Sequence, residues 1–115
     1  MEKNLKNNLL LDFYGNMLTE KQKQIMSLYF DCDSSLSEIA DELKMSRQAV
    51  YEAVKVSQNL LNSYEDKLKC VERFLFNRAI ITESIDELQK ICDDSLYSEK
   101  VQNIIKKLKK VLNNQ

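Results

Sequence analysis

Five side chains near the middle of this sequence have types and spacing suited to reading a nucleic acid. Arg47, Tyr51 and Lys55 recur at four-residue steps, Gln48 stands three residues before Tyr51, and Lys44 lies just ahead of them. On a helix this spacing gathers Arg47, Gln48, Tyr51 and Lys55 on one face. An arginine can pair with guanine and a glutamine with adenine through two hydrogen bonds each, while lysines neutralise phosphates. Glu52 opposes this use, because a carboxylate beside phosphates costs affinity unless it accepts from a cytosine amine. Glu38, Asp41 and Glu42 deepen the local negative field. Only Lys44, Arg47 and Lys55 remain to neutralise phosphates, which supports weak, salt-sensitive DNA binding. The competing reading is a helical corner kept for packing or for contact with a protein.

No other cluster offers chemistry. The chain has no His, and no nucleophile sits with a base and an orienting partner. Its single Gly excludes a glycine-rich phosphate loop. The acidic pairs Asp41-Glu42, Glu65-Asp66, Asp86-Glu87 and Asp93-Asp94 are sequence neighbours, which point to different sides of a helix. Cys32, Cys70 and Cys92 form no CxxC pair and read as small buried apolar residues in a reducing cytosol. The expectation is a protein that is not an enzyme, with no cofactor and no metal site.

One Gly, no Pro and five Tyr in 115 residues predict an all-α fold without a sheet. The elements that carry the five residues are read from capping and periodicity. Ser35 and Glu38 form a capping box, each satisfying a free amide at a helix start, and Leu36, Ile39, Ala40 and Leu43 form its buried stripe. Ala40 is small where a crossing helix approaches. Lys44-Met45 make the turn, at a place where many such motifs carry Gly, so a strained turn is anticipated. Ser46 caps the next helix, with Ala49, Val50 and Ala53 or Val54 facing inward. Two short helices joined this way make a helix-turn-helix, whose second helix presents its first turns to the major groove in DNA readers.

Ahead of the motif, Leu5, Leu9, Leu10, Phe13, Tyr14 and Met17 predict an amphipathic helix ending at Gly15-Asn16, with Gly15 as a left-handed stop. Thr19 and Gln22 form another capping box, and Ile25, Met26, Leu28, Tyr29 and Phe30 make the following helix central to the core. The acidic run from Asp31 to Ser35 breaks it. After the motif, Val54, Leu61, Tyr64, Leu68, Val71, Leu75, Ile85 and Leu88 predict one or two long helices, with breaks near Asn62-Ser63 or Asn77. Asp93-Asp94-Ser95 form a further stop, before a last helix marked by Val101, Ile104, Ile105, Leu108, Val111 and Leu112. Lys106, Lys107, Lys109 and Lys110 suit the negative end of that helix's dipole, and a solvated surface is their ordinary reading.

The net charge of −1 hides an asymmetry. Residues 1–66 carry 7 basic and 11 acidic side chains, a net −4, and residues 67–115 carry 10 and 7, a net +3. The half that holds the motif is the acidic half, which weighs against a strong DNA reader.

The runs LLLDFYGNMLTEKQKQIMSLYF, LSEIADELKMSRQAVYEAVK and LLNSYEDKL resemble the YlxM family of small bacterial helix-turn-helix proteins, over about residues 9–68. The helix-turn-helix portion alone is similar to region 4 of bacterial sigma factors. The resemblance implies a regulatory or accessory role around the signal recognition particle, with its GTPase or its RNA as partner. DNA binding is suggested there by the fold.

These readings combine into a helix-turn-helix domain over 1–62 and a helical extension over 63–115. The extension is expected to dimerise or to bind a partner, because its stripe of Leu61, Leu68, Val71, Phe74, Leu75, Ile85 and Leu88 is too apolar to leave in water, and packing within the chain against the 101–112 helix is the alternative. A homodimer in the cytoplasm, with no membrane passage, is the expected state. Sequence-specific DNA-binding regulation and a pure interaction scaffold are the alternatives to the signal recognition particle role.

Overall fold

A computed structural model describes the backbone of residues 2–92 and 96–113, and the side chains from residue 5 onward. The described residues form six α-helices and a single 3₁₀ turn, with no strand: α1 (Glu2–Tyr14), the turn Gly15–Met17, α2 (Glu20–Phe30), α3 (Leu36–Leu43), α4 (Arg47–Leu68), α5 (Cys70–Cys92) and α6 (Ser98–Asn113). The all-α expectation is met. Asp93, Asp94 and Ser95, expected to stop one helix and cap the next, lie outside the described residues. The chain divides into two compact units, Met1–Val71 and Glu72–Gln115. The first boundary expected, near residue 62, falls within α4, which runs unbroken to Leu68.

In the first unit α4 packs against α1, α2 and α3. α2 is central because neighbouring residues on it serve two clusters. Ile25 joins Ile39, Ala40 and Val50, whereas Met26 joins Leu10, Leu11, Tyr14, Leu18, Leu61 and Val71. Successive residues point about 100° apart on a helix, so burying both requires helices on two sides. Val54 touches both clusters and makes them continuous along α4. The expected breadth of the α2 apolar face is thereby explained.

Gly15 departs from its expected role. No glycine has a positive φ, and Gly15 opens a 3₁₀ turn closed by Leu18 N–H donating to its carbonyl at 3.1 Å. Its smallness is what the fold uses: a Cβ there would lie 3.3 Å from Leu11 Cδ1. Cys32 is also corrected, being exposed in the α2–α3 connection, while Cys70 is half-buried and Cys92 buried. On α1, Leu5 and Phe13 are exposed, as is Met17 in the turn that follows, and the buried positions are Leu10, Leu11 and Tyr14.

The long apolar pattern breaks at neither Asn62-Ser63 nor Asn77. It breaks at Lys69, a single left-handed residue (φ 57°, ψ 28°) between two helices of 22 and 23 residues. The first N–H groups of a helix have no acceptor within it. For α5 two of them are met from a distance. Cys70 N–H donates to the Tyr14 hydroxyl at 3.1 Å, and Val71 N–H donates to Glu65 Oε1 at 3.0 Å. The Tyr14 hydroxyl in turn donates to the same Glu65 oxygen at 2.5 Å. Asn62, instead of competing for backbone, accepts from Gln58 Nε2 at 3.2 Å.

In the second unit α5 and α6 run antiparallel. Arg78 donates to the Leu112 carbonyl at 3.4 Å, and Gln102 donates to Cys92 Sγ at 3.1 Å near the other end. Ile85, Cys92 and Ile105 are buried there. No helix among the described residues is long and apolar enough to cross a membrane.

Burial, followed by the hydrogen bond to Glu65, raises the Tyr14 pKa well above its ordinary 10.0. The folded state therefore holds this proton more tightly than the unfolded chain. Its stabilising contribution is intact below about pH 10 and declines as pH rises above it. Tyr14→Phe is expected to lower unfolding stability by about 1–3 kcal/mol at neutral pH, through the lost hydroxyl bonds. Urea denaturation of both proteins checks this, and the gap between them should narrow above pH 10.

Candidate nucleic-acid interface

The turn and two caps position the candidate face. Ser35 Oγ accepts from Glu38 N–H at 3.1 Å and Glu38 Oε1 accepts from Ser35 N–H at 2.9 Å, so both halves of the capping box are present. The Ser35 amide, followed by its hydroxyl, stabilises the ionised Glu38 carboxylate and holds its pKa below its ordinary value. The Thr19–Gln22 box is complete in the same way. Ser46 Oγ accepts from Ala49 N–H at 3.0 Å and starts α4.

Between them Lys44 is left-handed (φ 56°, ψ 47°), as its place in the turn demanded. Its N–H donates to the Ala40 carbonyl, and Met45 N–H donates to the same oxygen at 2.9 Å. This ending satisfies a helix carbonyl that would otherwise lack a partner. A non-glycine residue in this conformation costs roughly 1 kcal/mol, which the paired hydrogen bonds offset.

Lys44, Arg47, Gln48, Tyr51 and Lys55 are all exposed, Tyr51 at 47%. Opposite them Val50 is fully buried against Ile25, Ile39 and Ala40. That burial fixes the rotation of α4 and so turns its four candidates outward, while Lys44 is exposed in the turn ahead of the helix. Ala49, expected inside, is exposed beside them, while Ala53 and Val54 are half-buried. The opposing carboxylate is also part of the face: Gln48 Nε2 donates to Glu52 Oε1 at 3.1 Å. Glu38, Asp41 and Glu42 are exposed on α3. The surface is thus mixed in charge, with three cations and a glutamine already engaged by a carboxylate.

The structure adds neighbours that spacing along one helix does not reveal. Tyr51 and Lys55 share a cleft with Lys6 and Asn7 of α1 and with Tyr29 and Phe30 of α2. Of the aromatic pair at the end of α2, both expected in the core, Phe30 is partly buried and Tyr29 is exposed. The pair's meeting with α4 is a tertiary fact, and no local signal encodes it.

Comparison with known proteins places this architecture. Residues 1–104 match the UPF0122 family model, described as "Putative helix-turn-helix protein, YlxM / p13 like". The chain belongs to this family. A UPF0122 protein of Clostridium kluyveri is 42% identical over 117 residues, covering 99% of this chain and 98% of the relative. One from Bacillus pumilus is 40% identical over 111 residues, covering 96% of this chain and 97% of the relative. The UPF0122 protein YlxM of Bacillus subtilis is 39% identical over 111 residues, with the same two shares. The match extends well beyond the helix-turn-helix into α5 and α6. The UPF0122 description is that of a helix-turn-helix protein and not of an enzyme family.

Proposed function

We propose that this UPF0122 protein is a cytoplasmic accessory or regulatory protein of the signal recognition particle pathway, with the particle's GTPase or its RNA as partner. Family resemblance implies the pathway, and one structural observation favours a role in it over genome reading. The start of α4 pairs Gln48 with Glu52 and is flanked by exposed Glu38, Asp41 and Glu42. Such alternating charge suits a protein surface of complementary pattern better than a uniform row of phosphates, so within the pathway it favours the GTPase over the RNA. Affinity capture with the full chain is expected to recover the GTPase or the particle RNA, and recovery of neither would remove the proposal.

The same reading includes pairing with a second copy. Of the stripe expected to pair, Leu61, Val71 and Ile85 are buried within the chain, whereas Leu68 and Leu75 stay exposed, and Phe76 (65% exposed), Ile80 and Ile91 on α5 leave further apolar surface in water. Sedimentation at micromolar protein should show a species heavier than the 13.5 kDa chain, and a concentration-independent monomer would exclude the dimer.

A second reading, sequence-specific regulation of transcription, is favoured by the joint exposure of Lys44 in the turn and of Arg47, Gln48, Tyr51 and Lys55 in the first turns of α4. With three cations facing phosphates, log affinity should fall with log salt at a slope of about −2.7. Arg47→Ala should then lose about 1–3 kcal/mol of discrimination at one base pair. Titration of wild type and variant against the same operator checks both, and an unchanged preference would exclude Arg47 as a reader.

A further inference from the structure

The cleft beside the candidate face has a volume of about 680 Å³ and draws its walls from α1, α2, α3 and α4. Its floor is apolar, with Leu10 buried and Phe30 and Val54 partly so. Two tyrosines reach solvent at its rim, Tyr29 at 37% exposure and Tyr51 at 47%. Lys6 on α1 and Lys55 on α4 are both exposed. Gln58 and Asn62 continue the α4 wall. Because Gln58 Nε2 donates to Asn62 Oδ1, Gln58 Oε1 remains as an acceptor next to the Asn62 amide donors. Although residues 1–66 are acidic as a whole, none of the described residues lining the cleft is Asp or Glu.

Each feature asks for a different part of one ligand. Tyrosine rings half in water over an apolar floor favour a flat aromatic partner. Paired amide donors and acceptors favour the edge of a heterocycle, and two lysines on a cleft wall that carries no described carboxylate favour an anion, although Glu52 stands one turn from Lys55 outside the lining. A nucleobase carrying its phosphate supplies all three. Bases within a duplex are stacked on one another and cannot offer their faces, so the partner must be unpaired. The wall from Tyr51 to Asn62 spans 11 residues of α4, about 16 Å. That length exceeds a single base and calls for consecutive nucleotides.

We propose that this cleft binds a short unpaired segment of a single-stranded nucleic acid, with bases stacked on Tyr29 and Tyr51, base edges on Gln58 and Asn62, and phosphates at Lys6 and Lys55. The site is separate from the pathway assignment and shares only Tyr51 and Lys55 with the candidate duplex-reading face.

Fluorescence anisotropy with the full chain tests it, using labelled RNA and DNA single strands of about eight nucleotides, the matching duplexes, and a nucleoside monophosphate as competitor. A single strand is expected to bind at least about tenfold more tightly than its duplex. Two phosphate contacts predict a shallow slope of log affinity on log salt, about −1.4. Tyr51→Ala should weaken single-strand binding roughly 5- to 150-fold, the range of one lost base stack, whereas Tyr51→Phe should bind within about twofold of wild type. Circular dichroism confirms that both variants remain helical. Equal or tighter duplex binding, no loss in Tyr51→Ala, binding of the monophosphate alone, or no binding at all would each overturn the proposal. The assay contains no component of the signal recognition particle, so its failure and the failure of affinity capture are separate results.

Discussion

The first compact unit depends on a three-way hydrogen bond between the first helix and the joint of the two longest ones. Tyr14, 1% exposed, donates its proton to Glu65 at the end of α4 and accepts from Cys70 N–H at the start of α5. Glu65 also accepts from Val71 N–H. The partners lie 51 and 56 residues from Tyr14 in sequence, so closing the network orders most of the unit. It also makes the left-handed Lys69 tolerable, because the two helix-start amides that the sharp break exposes receive acceptors. Removing water from these groups would cost about 1–3 kcal/mol each without partners, which is a sizeable part of a small domain's net stability.

That closure has consequences at the other end of α4. Tyr14 stacks at a tilt on Tyr64, 6.0 Å between ring centroids, while Leu10, Leu11 and Leu18 gather with Leu61, Val71 and Met26 around it. The cluster secures the C-terminal half of α4, and Val54 carries the packing on to Val50, Ile39 and Ala40. A 22-residue helix is about 33 Å long, and here its two ends serve different tasks on one rigid element. The first turns display Arg47, Gln48 and Tyr51, and the last turn supplies the carboxylate that starts α5. α2 lies across both regions, and for this reason its apolar face is wider than a surface helix requires.

What could be read from the sequence was whatever is decided within a few residues. The Thr19–Gln22 and Ser35–Glu38 boxes, the Ser46 cap and the left-handed demand on Lys44 are local, and each stands in the structure as its residue types imply. The outward rotation of Arg47, Tyr51 and Lys55 followed from the buried position of Val50. The errors fall where distant residues decide. Asn62 and Asn77 have side chains that often interrupt helices, yet the break is at Lys69, where nothing local marks it and Tyr14 supplies the cap from α1. Gly15 carries no positive φ, because its role is to admit Leu11 and not to reverse the chain. Likewise the cleft needs Lys6 and Tyr29 from other helices, and period analysis of α4 alone contains neither.

The same joint bears on where the helix-turn-helix ends as a folding unit. A chain ending near residue 62 would keep the motif and its caps but lose Tyr64, Glu65 and Val71. The Tyr14 hydroxyl would then have neither the carboxylate it donates to nor the amide it accepts from, and Leu10, Leu11 and Leu61 would lose the buried Val71 beside them. Burying a valine contributes about 1.5–3 kcal/mol and satisfying the hydroxyl about 1–3 more, against a total of about 5–15 for a domain of ordinary stability. A motif can be recognisable in 21 residues and still need 71 to hold it, because its second helix is anchored at the far end. The compact unit Met1–Val71 is the length at which that anchor is complete.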